Sequence, residues 1–242
     1  PARPPPAPRH ASGGADAPPG PPRGAGGAVL AAGAAGGLQP PPAPRAAAAP
    51  RAPSAWCGGG PVTALVDTGG PWGRRRLLQL LGAQGLTPAD VTHVVVTHGH
   101  SDHVGNINLF PQATLVVGLD LSRGEGLYLP HGMGRGLPYP LHPGLLEVVP
   151  TPGHTPDHVS LLLRGTSLGT VLVAGDLFER EEDEEEWRAL SQDQARQEQS
   201  RSWALATADV IVPGHGAPFR VLRAPGRAGE ARGEGEGGIP PQ

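Results

Sequence analysis

Residues 93–103 read His-Val-Val-Val-Thr-His-Gly-His-Ser-Asp-His, and the fold turns on this stretch. Three valines between His93 and Thr97 have the composition of a buried strand, and that strand ends where the histidines begin. His98, His100, Asp102 and His103 follow in the order His-x-His-x-Asp-His. Imidazole and carboxylate together suit zinc or a similar divalent ion. A strand that passes into a Gly-containing loop can aim several side chains at one point. A lone loop histidine carries no such meaning. Four matched positions arise by chance in about one such chain in a thousand, so the stretch reads as a metal site.

Working outward, three later strand ends repeat the pattern. Leu146 to Thr151 leads into Pro152-Gly153-His154, Thr170 to Ala174 into Gly175-Asp176, and Asp209 to Val212 into Pro213-Gly214-His215. Upstream, Val62 to Val66 leads into Asp67-Thr68-Gly69-Gly70. Asp67 either caps that turn or stands behind the metal site and orients a ligand histidine. Strand ends that all carry ligand types predict one cleft, lined by His98, His100, Asp102, His103, His154, Asp176 and His215.

The intervening chain reads as follows. Trp72 to Gln84 is helical, with Leu77, Leu78, Leu80 and Leu81 on its apolar face, and Gly85 ends it. Val104 to Phe110 looks like a helix start that Pro111 stops. Thr114 to Val117 and Val159 to Leu163 are strands. Residues 120–143, rich in Gly, Leu and Pro, read as a long irregular loop walling a substrate cleft, with His131 a candidate substrate contact. Glu179 to Glu186 reads as a solvated acidic run or the first turn of a helix, and Trp187 to Thr207 as one helix.

Of the 242 residues, those before Trp56 include no Phe, Tyr, Trp or Ile. Such a Pro/Ala/Gly/Arg tract buries too little apolar surface to offset its ordering entropy, so residues 1–55 and the tail 225–242 are expected to be disordered around one domain, 56–224. The net charge of −3 gives no global basic signature for nucleic acid, and every basic residue is Arg. The one cysteine, Cys57, cannot form an internal disulfide, which suits a reducing compartment. No apolar run approaches the roughly 20 residues of a membrane helix, so no membrane partner is expected.

Taken together, Thr-His-Gly-His-Ser-Asp-His (97–103), Thr-Pro-Gly-His-Thr-Pro (151–156), Gly-Asp (175–176) and Pro-Gly-His-Gly (213–216) resemble the metallo-β-lactamase superfamily. The resemblance covers about residues 61–222. It implies an α+β fold, a four-layer αββα sandwich with metals at one edge. Family members carry N-terminal strands before the Asp-Thr-Gly turn, and here the Pro/Ala/Gly tract stands in their place, so those strands are expected to be missing in part. The resemblance implies two divalent metal ions, Zn2+ by preference. His98, His100 and His154 would hold one, Asp102, His103 and His215 the other, with Asp176 bridging and Asp67 behind. Asp102 would also orient the attacking water. His158 receives no catalytic role.

Four stretches narrow the likeness: Val-Asp-Thr-Gly-Gly-Pro-Trp (66–72), Tyr-Leu-Pro-His-Gly (128–132), Val-Ala-Gly-Asp-Leu-Phe-Glu-Arg (173–180) and Val-Pro-Gly-His-Gly-Ala-Pro-Phe-Arg-Val (212–221). They resemble a branch of endoribonucleases that cleave histone-coding pre-mRNA at its 3′ end, which implies an RNA substrate, a homodimer, and residence in cytosol and nucleus. The alternative is a small-molecule hydrolase of thioesters, lactones or β-lactams, similar to glyoxalase II. A chain with an incomplete core that only binds partners is the non-enzymatic reading.

Overall fold

The computed structural model describes residues 62–223 and, before them, the backbone of Ala31–Ala32 (β1), Leu38–Gln39 (β2) and Ala55–Gly58 (β3). Apart from β1, β2 and the first residue of β3, the segments 1–55 and 225–242 expected to be disordered lie outside the described residues.

The first half of the chain builds one six-stranded sheet. Its strands lie side by side in chain order: β3, Thr63–Val66 (β4), His93–Val96 (β5), Thr114–Val117 (β6), Asp120–Arg123 (β7) and Leu127–Tyr128 (β8). The second half repeats this with Tyr139–His142 (β9), Leu146–Pro150 (β10), Val159–Thr166 (β11), Gly169–Gly175 (β12), Val210–Pro213 (β13) and Phe219–Arg220 (β14). Because β3 pairs antiparallel with β4, the first sheet extends upstream of the Asp-Thr-Gly turn. Of the strands expected to be missing in part, one is thus present among the described residues.

Among the described residues four α-helices lie between strands: Arg74–Ala83 (α1), Ser101–Val104 (α2), Glu186–Leu190 (α3) and Gln194–Thr207 (α4). Parallel neighbours need crossovers, and α1 links the parallel pair β4–β5 while α3 and α4 link β12–β13.

Strand alternation makes the layers. Val66, Val95, Val148, Leu161, Val173 and Val212 point between the sheets into one core. Their chain neighbours point the other way. Leu65, Val94 and Val96 meet Leu77 and Leu81 of α1, and Leu162, Leu172 and Ile211 meet Ala204 of α4. Strands buried on both faces need continuous apolar runs, which is why His-Val-Val-Val and Val-Ile-Val-Pro lack polar alternation. The αββα sandwich is therefore present as the sequence implied.

Three segments differ from their sequence reading. Residues 120–143 are not an irregular loop; they hold β7, β8, a short turn of 3-10 helix at Met133–Arg135, and β9. The strands are short, β8 and β9 are sheet edges where Pro140 is tolerated, and Gly-rich turns mask the period. Trp187–Thr207 is two helices. The break comes because Gln192 and Asp193 donate backbone N–H to the carbonyls of His154 (3.3 Å) and Gly153 (2.9 Å), and Asp193 then caps α4 by accepting from Arg196 N–H. Finally, Val104 ends a helix rather than starting one, since α2 begins at Ser101.

Candidate metal centre

The ligand-type residues converge because strands β4, β5, β10, β12 and β13 end at one edge of the sandwich. The two sheets touch directly beneath. The Val159 N–H donates to the Thr97 carbonyl at 2.9 Å, and a Cβ on Gly175 would lie 2.7 Å from Thr97 Oγ1, so glycine and its left-handed φ of +53° are required there. On the other side, a Cβ on Gly214 would collide with the Asp176 carboxylate, so this glycine makes room for it.

Asp67 is buried, with φ of 56° in the left-handed region. Its Oδ1 accepts the Thr97 N–H at 2.8 Å, and its Oδ2 lies 2.8 Å from His103 Nδ1. Of the two roles open to it, the structure places Asp67 behind the site: holding Nδ1 of His103 turns Nε2 into the cleft. The turn after it is fastened separately, with Thr68 N–H donating to the His103 carbonyl and the Asn106 amide donating to the carbonyls of Thr68 and Gly70.

His98, His100, His154 and Asp176 each offer one ligand atom, all within 4.8 Å of one another, and so do Asp102, His103 and His215. In the first group, His100 Nδ1 lies 2.9 Å from His98 Nε2 and 3.1 Å from His154 Nε2. Nitrogens at about 2.0–2.1 Å from one tetrahedral ion would lie about 3.3 Å apart, close to this spacing. Asp176 stands between the groups. Its Oδ2 is 3.5 Å from His154 Nε2 and 3.2 Å from His215 Nε2, and its Oδ1 is 3.2 Å from His103 Nε2. His103 Nε2 and Asp176 Oδ1 are both buried without a hydrogen-bond partner. Two such orphaned atoms facing each other fit a cation bound between them. The seven residues expected in the cleft are thus all brought together, and they are able to hold metal ions.

The electrostatics agree with ligand roles. Burial pushes His154 down to about 4, and burial with neighbouring His103 pushes His98 well below the ordinary histidine value, so both keep the lone pairs a metal needs. For His103, burial opposes the cation, but flanking Asp67 and Asp176 outweigh it and hold its pKa well above the usual value. A field that stabilises a proton there also stabilises a metal cation. Burial would raise Asp176, yet His103, His215 and His98 keep it well below the carboxylate range.

Two residues that sequence reasoning left aside belong to this region. His158 is fully buried, stacked on His98 at 5.3 Å between ring centroids, with Nδ1 3.0 Å from Thr151 Oγ1. Glu179 is not in a solvated run: it and Asp183 are buried, while the acidic residues between and after them face water or lie partly open. The signal for both was closeness to a ligand: each lies three or four residues beyond one, His158 directly before β11 and Glu179 just past β12. His131, by contrast, accepts the Met133 backbone N–H and joins neither ligand group.

Residues 58–139 match the sequence profile of the metallo-beta-lactamase superfamily. The chain is 61% identical over 165 residues to "Metallo-beta-lactamase domain-containing protein 1" of Xenopus laevis, covering 68% of this chain and 70% of that protein. The Homo sapiens protein of the same name is 60% identical over 165 residues, and the match spans 61% of its length. A solved structure of an N-acyl homoserine lactone hydrolase, with the product N-hexanoyl-L-homoserine bound at its catalytic metal center, superimposes with a TM-score of 0.50 at 22% identity, over 66% of this chain and 79% of that one. At that identity the likeness speaks to fold alone. Among the described residues no helix is long and apolar enough to cross a membrane.

Proposed function

From the premise that this chain belongs to the metallo-β-lactamase superfamily of hydrolases, we propose that it is a dinuclear-metal endoribonuclease that cleaves histone-coding pre-mRNA near its 3′ end. His98, His100 and His154 would hold one divalent ion, and Asp102, His103 and His215 a second, with Asp176 shared. Zinc suits the imidazole-rich position. Ions held by these residues would lower the pKa of water towards neutrality and offset charge on the phosphoryl oxygens. The chain's own part is to hold that constellation still. Asp67 fixes His103, Thr97 ties the two sheets under the ligands, and Asp102 and His215 are only half-buried, which leaves that side of the constellation accessible to water.

One observation favours a polyanion over a small neutral ester. Directly after the Gly69–Gly70 turn, Trp72 is 69% exposed, and Arg74, Arg75 and Arg76 are all exposed at the start of α1. Among the described residues none of the three forms an ion pair, and the first turn of α1 has no acidic residue. Three guanidinium groups at the positive end of a helix oppose its dipole, and binding phosphates offsets that cost. An exposed indole beside them is a stacking surface for a single-stranded base. This turn is hydrogen-bonded to the segment carrying Asp102 and His103, with Gly105 N–H donating to the Gly69 carbonyl. A homodimer in nucleus and cytosol goes with the same reading.

The test is cleavage of a labelled single-stranded RNA carrying a histone-type 3′ end, with and without chelator. Cleavage that chelator abolishes is expected. A correctly metallated protein that leaves this RNA intact while hydrolysing a thioester or lactone would overturn the reading in favour of a glyoxalase II-like hydrolase.

A further inference from the structure

The metal site described above leaves one buried carboxylate unused. Glu179 is 3% exposed and lies three residues past Asp176. There the chain runs alongside the His215 turn: Gly214 N–H donates to the Phe178 carbonyl at 2.9 Å, and His215 N–H donates to the Glu179 carbonyl at 3.0 Å. The Glu179 N–H in turn donates to Asp183 Oδ2 at 2.7 Å, and Arg201 grips that carboxylate from the far side. Glu179 is therefore fixed beside His215 through its backbone on both flanks, and its side chain is left to face the cleft.

The atoms it meets there decide its role. Glu179 Oε2 lies 3.9 Å from His215 Nε2, the same nitrogen that is 3.2 Å from Asp176 Oδ2 and 3.8 Å from Asp102 Oδ2. Asp67 does the opposite at His103: it holds Nδ1 from behind and leaves Nε2 free for the cleft. A carboxylate that orients a ligand imidazole sits on its rear nitrogen, as Asp67 does. Glu179 sits on the front one. Asp176, Glu179 and His215 each offer an atom within 4.8 Å of the others, and Glu179 Oε1 is buried with no hydrogen-bond partner. A carboxylate oxygen stripped of water and left unpaired is costly, and a cation compensates it.

We propose that Glu179 is a further ligand of the ion held by Asp102, His103, His215 and Asp176. The inference rests on the reading that the cleft binds divalent ions. Its consequence is that the two positions differ in kind. The first offers three imidazoles and the shared Asp176. The second offers two imidazoles and three carboxylates, a harder and more oxygen-rich set that accepts manganese more readily than the first does.

The experiment strips the full-length chain with chelator, then titrates it with Zn2+ and, separately, with Mn2+. Bound metal is counted by elemental analysis, and Mn2+ is followed by its magnetic resonance spectrum. Wild type is expected to bind two equivalents of zinc. Glu179→Gln, which keeps shape and removes charge, is expected to bind the first equivalent as wild type does, to bind the second about tenfold or more weakly, and to lose its Mn2+ signal. In chelator its thermal melt should not fall, since the amide needs no cation. Unchanged binding of both equivalents by Glu179→Gln overturns the assignment. So do equal weakening of both, a lowered melt in chelator, or a wild type that takes up only one ion. A wild type that binds no metal refutes the metal reading itself, and this inference with it; two equivalents in wild type with normal binding by Glu179→Gln refute the inference alone.

Discussion

Asp183→Ala would test how the floor under the metal centre is held. Asp183 is 1% exposed and Arg201 6%, and the two form a two-pronged pair, with Nη2 to Oδ1 at 2.6 Å and Nη1 to Oδ2 at 3.0 Å. Removing one partner of a buried pair costs about 3–5 kcal/mol, because the other charge is stranded. Arg201 would not be wholly stranded. It also donates to the Leu177 carbonyl at 2.9 Å and lies over the rings of Phe178 (4.0 Å) and Trp187 (4.8 Å), which favours the lower end of the range. Against this, the buried Glu179 N–H loses its acceptor, at about 1 kcal/mol. A net loss of about 3–5 kcal/mol follows, and for a domain of this size each kcal/mol shifts the melting temperature by about 2–4 °C, giving a drop of about 6–20 °C. The assay is a thermal melt in chelator, so that bound metal does not mask the loss. The double variant Asp183→Leu with Arg201→Met should recover most of the drop, since apolar replacement of a whole buried pair is often neutral. A single-variant shift under about 2 °C, or a double variant as unstable as the two singles summed, would refute the account.

Three further outcomes are expected. Asp176→Ala should lose its bound metal and its hydrolytic activity together, because Asp176 faces both ligand groups; full activity at normal metal content would remove it from its bridging place. Asp67→Asn keeps an acceptor for the Thr97 N–H but weakens the hold on His103, so metal affinity in a chelator competition should fall by about 10–100-fold with the fold intact, and an unchanged affinity would count against an orienting role. His158 gives a pH dependence. Burial holds it down to about 3 in the folded protein, against about 6.5 in the unfolded chain, so below pH 6.5 the unfolded chain takes up a proton that the folded one refuses. That contribution to stability is intact above the unfolded value and is lost as pH falls towards 3, by about 1.4 kcal/mol per unit. Urea melts of wild type and His158→Gln in chelator, compared from pH 6 to 4, should differ by that slope, and parallel curves would contradict it.

The centre was legible in the sequence because its ligands sit where strands end. Three valines and a threonine followed by His-Gly-His, or Val-Pro followed by Gly-His, state both the burial and the turn in a few residues. The outer parts of the sheets were not legible. Tyr139–His142 is an edge strand and Asp120–Arg123 lies one strand in from the other sheet's edge, and their exposed positions tolerate Asp, Arg and Pro, so composition reads as loop. Glu179 and Asp183 hid for a different reason. They lie among seven acidic residues in eight positions, and only the tertiary fold distinguishes the two that turn inward from those that face water. Likewise the break before α4 is imposed by the carbonyls of Gly153 and His154, partners about 40 residues away in sequence that no local pattern encodes.

The division of labour between the two sheets has a further consequence. The first half of the chain supplies His98, His100, Asp102 and His103, and the second supplies His154, Asp176 and His215, with residues 129–138 as the join. Neither ligand group is complete within one half. An ion bound at either group would therefore be a staple between the two sheets, and its dissociation would report how tightly those layers are docked. Damage far from the cleft then becomes visible at the cleft. A cavity cut between the sheets, at Val148 or Val173, would let the layers slide, and the first symptom would be faster metal exchange rather than a change in the chemistry.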